Sequence, residues 1–397
     1  MGYVMIPAKY NVRNLRVRWM TTLMTVLSTG LVVWASVLCF GLTDGLRYAL
    51  QVTGHELDLI VLRKGSADEI GSGLEQKVAR EVSTLSGIAK DGAGRPMCSV
   101  EFVTILTKPR RNNGGTVNLI VRGLEDVGRE LRPDFRIVEG RDLEPGRFEA
   151  ITSRSMAARF ENLAIGEKLE VNRQFFEVVG YFEASGSAAE SEVWTDLRDL
   201  GLARKSPAAV SSVCLRAESA GQRDELQRLL QDNKRFQMKA ISEKQYFEDQ
   251  MNQSNAIQYI GYIIAGFLIF GAMFAAANTM FAAVASRARE IGTLRVLGYS
   301  RAAIVVSFLI EGMLLSGLGG LVGCGLSLAI YAYVVARGVT FGTMDFQSFA
   351  ETVYQFRVTP DLMALGLVFS VSIGLVGSFL PALRASRLPV ISALKSL

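Results

Sequence analysis

The stretch SRAREIGTLRVLGYSRAAI, Ser286 to Ile304, lies between two long apolar runs, and its reading decides the rest of the chain. It is too charged to sit in lipid and too short to fold as a domain. Ile291, Leu294 and Leu297 recur at helical spacing, Gly298 stands where a helix C-cap favours positive φ, and Ser300 is placed to cap the next helix. The pattern predicts one amphipathic turn of helix at a membrane face. Arg287, Arg289, Arg295 and Arg301 outweigh Glu290, which places the turn on the cytoplasmic side, where basic loops accumulate. The residues alone leave two readings: a knuckle on which a soluble partner docks, or a solvated connector that only obeys the charge rule.

Working outward, Met20 to Leu42, Ile257 to Ala285, Ala302 to Ala336 and Leu362 to Leu383 are each long enough, at about 20 apolar residues, to cross a bilayer. With 49% hydrophobic residues, the 397-residue chain reads as a membrane protein and not as two or three soluble domains. Lys9, Arg13, Arg16 and Arg18 precede the first run in an amphipathic lead-in, residues 1–19, with Tyr10, Leu15 and Trp19 as interfacial anchors. Arg384, Arg387 and Lys395 follow the last run in a tail, residues 384–397. Both termini are therefore expected in the cytoplasm. Residues 43–256 carry a balance of −3 out of a net +5, so the remainder carries +8. That basicity follows topology and supplies no nucleic-acid face. The apolar core of the first run exceeds the roughly 7–15 residues of a signal peptide, so it is read as an uncleaved anchor.

Ser242 with Gln245 forms a capping-box pattern that opens a polar helix running without proline into the second apolar run. Ser242 to Ala285 makes about 66 Å of helix, roughly twice a hydrocarbon core. The first run likewise continues past Leu42, so residues 20–52 and 242–285 are each expected to be a membrane helix with a stalk. Between them, residues 53–241 show strand patterns at Leu57 to Arg63, Val100 to Thr107, Val117 to Gly123, Lys168 to Val171, Phe175 to Phe182 and Val210 to Leu215. Helical patterns fall at Leu74 to Leu85, at Ser155 to Glu161 behind a Ser153 cap, and at Ala220 to Gln231. The expected fold is an α-helical membrane protein with four transmembrane helices and an α+β extracytoplasmic domain inserted between helices 1 and 2 on a helical stalk. The remaining segments are the turn 286–301, membrane helix 302–336, a short outer loop 337–361 and membrane helix 362–383.

Catalytic chemistry is hard to place. No G-x-x-x-x-G-K-[ST] stretch wraps a phosphate, so ATP hydrolysis is not expected in these residues. His55 is the one histidine and there is no cysteine cluster, which nearly excludes a metal site of nitrogen and sulfur ligands. Cys98 and Cys214, both in the outer domain, offer weak evidence for a disulfide. The membrane runs say more. Gly312, Ser316, Gly319, Gly320 and Gly323 let helices approach closely, within the chain or against a second copy. Glu311, about nine residues into the third run, must face protein and find a partner such as Asn278 or a basic residue near the inner face, as structural glue or in gating.

The basic lead-in, the large outer segment, REIGTLRVLG after the second run, the Glu-containing Gly-rich third run and the ending PALRASRLPVISALKSL together resemble the FtsX-like, MacB-type permeases of ABC transporters, also called type VII. The resemblance implies that Arg287, Glu290, Ile291, Gly292, Leu294, Arg295, Leu297 and Gly298 form a coupling helix seated in a groove of an ATPase. It also implies an outer domain with an inserted β-rich part at about residues 135–200. This chain departs from MacB in showing no fused ATPase, so ATP and Mg²⁺ are expected on a separate ABC ATPase subunit, and no cofactor in this chain. A second permease chain, membrane lipids and a periplasmic adaptor or substrate protein complete the expected partners in a bacterial inner membrane. The implied function is mechanotransmission that exports or extracts a lipidic, lipoprotein, peptide or small-molecule substrate. A regulator of cell-wall hydrolases, or a sensor or adhesion module without an ATPase, shares the same body plan.

Overall fold

The computed structural model describes residues 19–111, 115–132, 134–233, 238–344 and 351–388. Apart from Trp19, the expected lead-in falls outside them, as does most of the tail. In chain order the elements are α1 (Trp19–Thr53), β1 (Asp58–Arg63), β2 (Leu74–Glu75), α2 (Gln76–Val82), β3 (Cys98–Pro109), β4 (Thr116–Leu124), α3 (Asp126–Glu130), β5 (Arg136–Gly140), β6 (Glu149–Thr152), α4 (Arg154–Arg159), β7 (Lys168–Val171), β8 (Gln174–Glu183), a 3₁₀ turn (Ala188–Ser191), β9 (Glu192–Asp196), α5 (Leu197–Ala203), β10 (Ala209–Val210), β11 (Ser212–Arg216), α6 (Ala220–Asp232), β12 (Met238–Ser242), α7 (Glu243–Ser286), α8 (Ala288–Val296), α9 (Arg301–Ala336), β13 (Phe341–Met344), β14 (Glu351–Tyr354) and α10 (Pro360–Ser386). The chain forms two units. One gathers α1 up to Asp44, Ile257–Arg337 and the chain from Arg357; the other gathers Gly45–Ala256 and Gly338–Phe356.

Among the described residues, α1, α7, α9 and α10 are the four helices long and apolar enough to span a membrane. Lipid supplies no hydrophobic drive between helices, so close backbone approach must hold them together. The third helix supplies it. Gly312 lies against Gly374 and Ser378 of α10, and Gly320 against Ser370. Ser370 also donates across the seam to the Ser316 carbonyl at 2.9 Å. On the adjoining face, Gly319 and Gly323 meet α1, where an added Cβ would come within 3.1 Å of the Gly30 amide and 3.0 Å of the Trp34 amide. The small-residue ridge predicted from sequence is thus filled by this chain's own helices.

The second unit is an α+β domain. Its main sheet runs β12-β1-β11-β3-β4-β9-β6-β8-β5, with β7 on β8. The twelve-residue β3 serves both halves: residues 98–101 pair with β11, and residues 102–109 pair with β4. Beyond β4 the expected insert shares this sheet through a parallel β4–β9 pair. One core, around Leu59, Val61, Val213 and Leu226, fills the first half, and a second, around Val121, Phe160, Phe176 and Val193, fills the other.

Most patterned strands and helices form where predicted. Ser153 caps α4 by accepting the Met156 amide, and Ser242 accepts the Gln245 amide at 3.1 Å to start α7, which is 44 residues long. The run read as one helix from Leu74 instead spends Leu74 and Glu75 on pairing with β10 before turning helical. Strands β5, β6, β9 and β12 lacked a clear alternating signal because several are buried on both faces, as in Glu149–Thr152 and Glu192–Asp196. Cys98 and Cys214 are free thiols. Cys98 pairs with Leu215 in register, so Cys214, one residue earlier, points to the opposite sheet face and no disulfide can join them.

Candidate functional site

The turn between the second and third membrane helices is the nine-residue α8, longer than the single turn expected. Gly298 closes it with φ +93°: its amide reaches the Arg295 carbonyl at 3.2 Å and the Tyr299 amide reaches Leu294 at 3.1 Å. These are the two bonds of a glycine-terminated helix end. Ser300 then accepts the Ala303 amide at 3.1 Å and opens α9.

The eight residues assigned to ATPase contact divide between two faces. Ile291 is buried among Met280, Val284, Ile304, Phe308, Ala382 and Ala385, which belong to three membrane helices, and Gly292 is buried beside it. Arg287 is also buried, and its Nη1 donates to Glu311 Oε2 at 2.8 Å. These three anchor the turn and are not available to a partner. Glu290, Leu297 and Gly298 are exposed, while Leu294 and Arg295 are half-buried. Arg295 steadies the turn by donating to the Tyr299 carbonyl at 3.1 Å. Val296, which the helical spacing passed over, is 63% exposed beside Leu297 at 70%.

Glu311 therefore finds the basic partner that burial in a membrane helix demands. The partner comes from the break between α7 and α8, so the ion pair fastens the start of the short helix to the third turn of α9. A cavity of about 30 Å³ beside it is lined by Thr22, Thr25, Thr279 and Ser316, polar side chains able to hold a water or two.

A second constellation, in the outer domain, escaped sequence reasoning. Arg122 on β4 makes paired bonds to Glu69 (2.8 and 2.8 Å) and Glu192 (2.7 and 2.8 Å) and one to Glu101 at 2.7 Å. Arg132 adds a bond to Glu101 at 2.8 Å, Ser212 one to Glu69 at 2.6 Å, and the Trp194 indole one to Glu192 at 2.8 Å. Burial pushes the Glu69 carboxyl up, but the charge and hydrogen bonds of Arg122, with Ser212 and Arg132, outweigh it and hold the group at about 2. Donor atoms of Glu69, Glu101 and Cys214 cluster within 4.8 Å. Both of those carboxylates already accept from Arg122, and Glu101 accepts from Arg132 as well. Nearby, burial pushes Glu243 up to about 8; Asp58 and Glu101 reinforce the shift, while Arg132 and the His55 amide oppose it. His55 itself is half-exposed, its Nδ1 accepting the Leu57 amide at 3.2 Å.

The MacB-like periplasmic core domain model matches residues 22–233, more than half of the chain, and the FtsX-like permease C-terminal model matches residues 262–390. The chain belongs to the MacB- and FtsX-type ABC transporter permeases. Among curated relatives, the permease is 26% identical over 297 residues to the uncharacterized ABC transporter permease YknZ of Bacillus subtilis (strain 168), covering 70% of each chain. It is 32% identical over 119 residues to the macrolide export ATP-binding/permease protein MacB of Hyphomonas neptunium, a match covering 30% of this chain and 16% of that protein. The crystal structure of the extracellular domain of the noncanonic ABC-type transporter YknZ aligns over 47% of this chain and all of that one, with TM-score 0.35 and 17% identity.

Proposed function

We propose that the permease transmits ATP binding and hydrolysis by a separate ATPase subunit, which holds ATP and Mg²⁺, to its outer domain. The transmitted motion exports or extracts a lipidic, lipoprotein, peptide or small-molecule substrate. The observation that carries this reading is the two-sided α8. Arg287, Ile291 and Gly292 lock one side to the membrane helices, while Val296, Leu297 and Glu290 stand exposed on the other. A rigidly mounted short helix with an exposed apolar tip suits a soluble groove better than a mere connector would. In this reading the turn and both termini face the cytoplasm of a bacterial inner membrane. A second permease chain packs on a face other than the Gly312–Gly323 ridge, which is already filled.

The test is co-purification of the ATPase with the full-length permease. Truncating a well-seated anchor typically costs about 2 kcal/mol or more of binding, so the Val296→Ala, Leu297→Ala double variant is expected to lose most ATPase association. Leu294→Ala, at a half-buried site, is expected to lose less. Glu290→Ala is expected to keep much of the association while uncoupling hydrolysis from transport, because a charged contact mainly sets orientation. Unchanged association and transport in the double variant would make the turn a connector only. Labelling of a cysteine introduced at Ser300 from the outer side would overturn the cytoplasmic placement.

A further inference from the structure

The connection between the third and fourth membrane helices, expected as a short outer loop, is built into the outer domain. Strands β13 and β14 pair antiparallel, Phe341 opposite Tyr354 and Met344 opposite Glu351. The Glu351 side chain is fully buried at 0% exposure. Arg110, just beyond β3, donates to its Oε2 from Nε at 3.0 Å and Nη2 at 2.8 Å. Arg159, the last residue of α4, pairs with its Oε1 and also donates to the Thr340 carbonyl at 2.9 Å. Two residues further along, Ser191 accepts the Val353 amide at 2.7 Å and donates back to the Val353 carbonyl at 3.2 Å. Val353 itself sits in the core with Val121, Phe160 and Val193. At Gly45 an added Cβ would run into the Gln355 carbonyl.

We propose that Glu351 is a positioning residue: the pin through which the third and fourth membrane helices move together with the outer domain. The inference rests on the transmission reading above. A strand pair that only joined two helices would need no buried carboxylate. Here two half-buried arginines from separate elements converge on one buried carboxylate, and removing it leaves two like charges facing each other without their shared partner. Such a site is stable in one geometry and yields abruptly, whereas a solvated loop yields gradually. The hairpin is joined along the backbone to α9 at Arg337 and to α10 at Arg357, so the chain itself links both helices to it.

The test uses the full-length permease in lipid nanodiscs, alone and with its co-purified ATPase, and reads amide hydrogen exchange. Alone, Glu351→Gln is expected to speed exchange of residues 351–354 by about tenfold or more, as loss of a charge-assisted bond would, with β1 and β4 unchanged. With the ATPase, the wild type is expected to show a nucleotide-dependent change in outer-domain exchange. Glu351→Gln should abolish that change while leaving basal hydrolysis intact, and Arg110→Gln, which keeps the Arg159 contact, should diminish it. A Glu351→Gln chain that keeps the full nucleotide response overturns the proposal. So does loss of β1 and β4 protection without nucleotide, which would make Glu351 a folding residue only. A wild-type chain that never responds to nucleotide overturns the transmission reading, and this proposal falls with it; that outcome is distinct because no variant is needed to see it.

Discussion

Two buried arginines serve the two units of this permease in different ways. Arg287 in the membrane unit meets the single carboxylate of Glu311, while Arg122 in the outer domain meets three carboxylates gathered from β3, β9 and the loop after β1. In the membrane unit every helix satisfies its own backbone, so packing needs only small residues, and one ion pair suffices to fasten a turn. The outer domain must join sheet segments that lie far apart in the chain. There the charges act as a joint between two cores, and their loss should be felt across the domain.

The sharpest way to break the comparison is to remove the central arginine of the outer domain. Arg122→Ala would leave Glu69, Glu101 and Glu192 buried without their main partner, at a cost of about 3–5 kcal/mol of outer-domain stability. Denaturation followed by Trp194 fluorescence in a full-length chain with Trp19→Phe and Trp34→Phe measures it, since that indole bonds directly to Glu192.

Within the outer domain, pH separates two carboxylates of opposite behaviour. Glu69, held at about 2 against an ordinary 4.5, adds stability that is present above pH 4.5 and lost as pH falls towards 2. Glu243, raised to about 8 from 4.5, adds stability that is full below pH 4.5 and lost as pH rises through 8. Glu69→Gln should flatten the acid limb of the stability profile, and Glu243→Gln the limb between pH 4.5 and 8; a variant that flattens neither would contradict the assignment.

In the membrane unit the expected effects are smaller. Glu311→Gln, which leaves Arg287 with a neutral partner, should cost about 1.5–3 kcal/mol in detergent-solubilised thermal unfolding and weaken ATPase coupling as well. Gly320→Val, pressed against Ser370, should cost about 1–3 kcal/mol, whereas Gly317→Val, with open space around it, should leave unfolding unchanged. Equal effects at the two glycines would mean that the α9–α10 seam does not hold the unit together.

The amino-acid sequence by itself determined the four membrane helices, the caps at Ser242 and Ser300, the glycine stop at Gly298 and the need for a partner at Glu311. Each follows from neighbours within a few residues, through apolar run length, turn chemistry or the cost of a charge in lipid. Tertiary structure alone decided which of Arg287, Glu290, Ile291, Gly292, Leu294, Arg295, Leu297 and Gly298 face inward, because helical spacing defines a stripe but not what covers it. It alone assembled Glu69, Glu101, Arg122, Arg132 and Glu192, and folded Glu351 onto Arg110 and Arg159, 241 and 192 residues away. Such pairings leave no periodic trace along the chain, because only the sheet's register brings those side chains to one place.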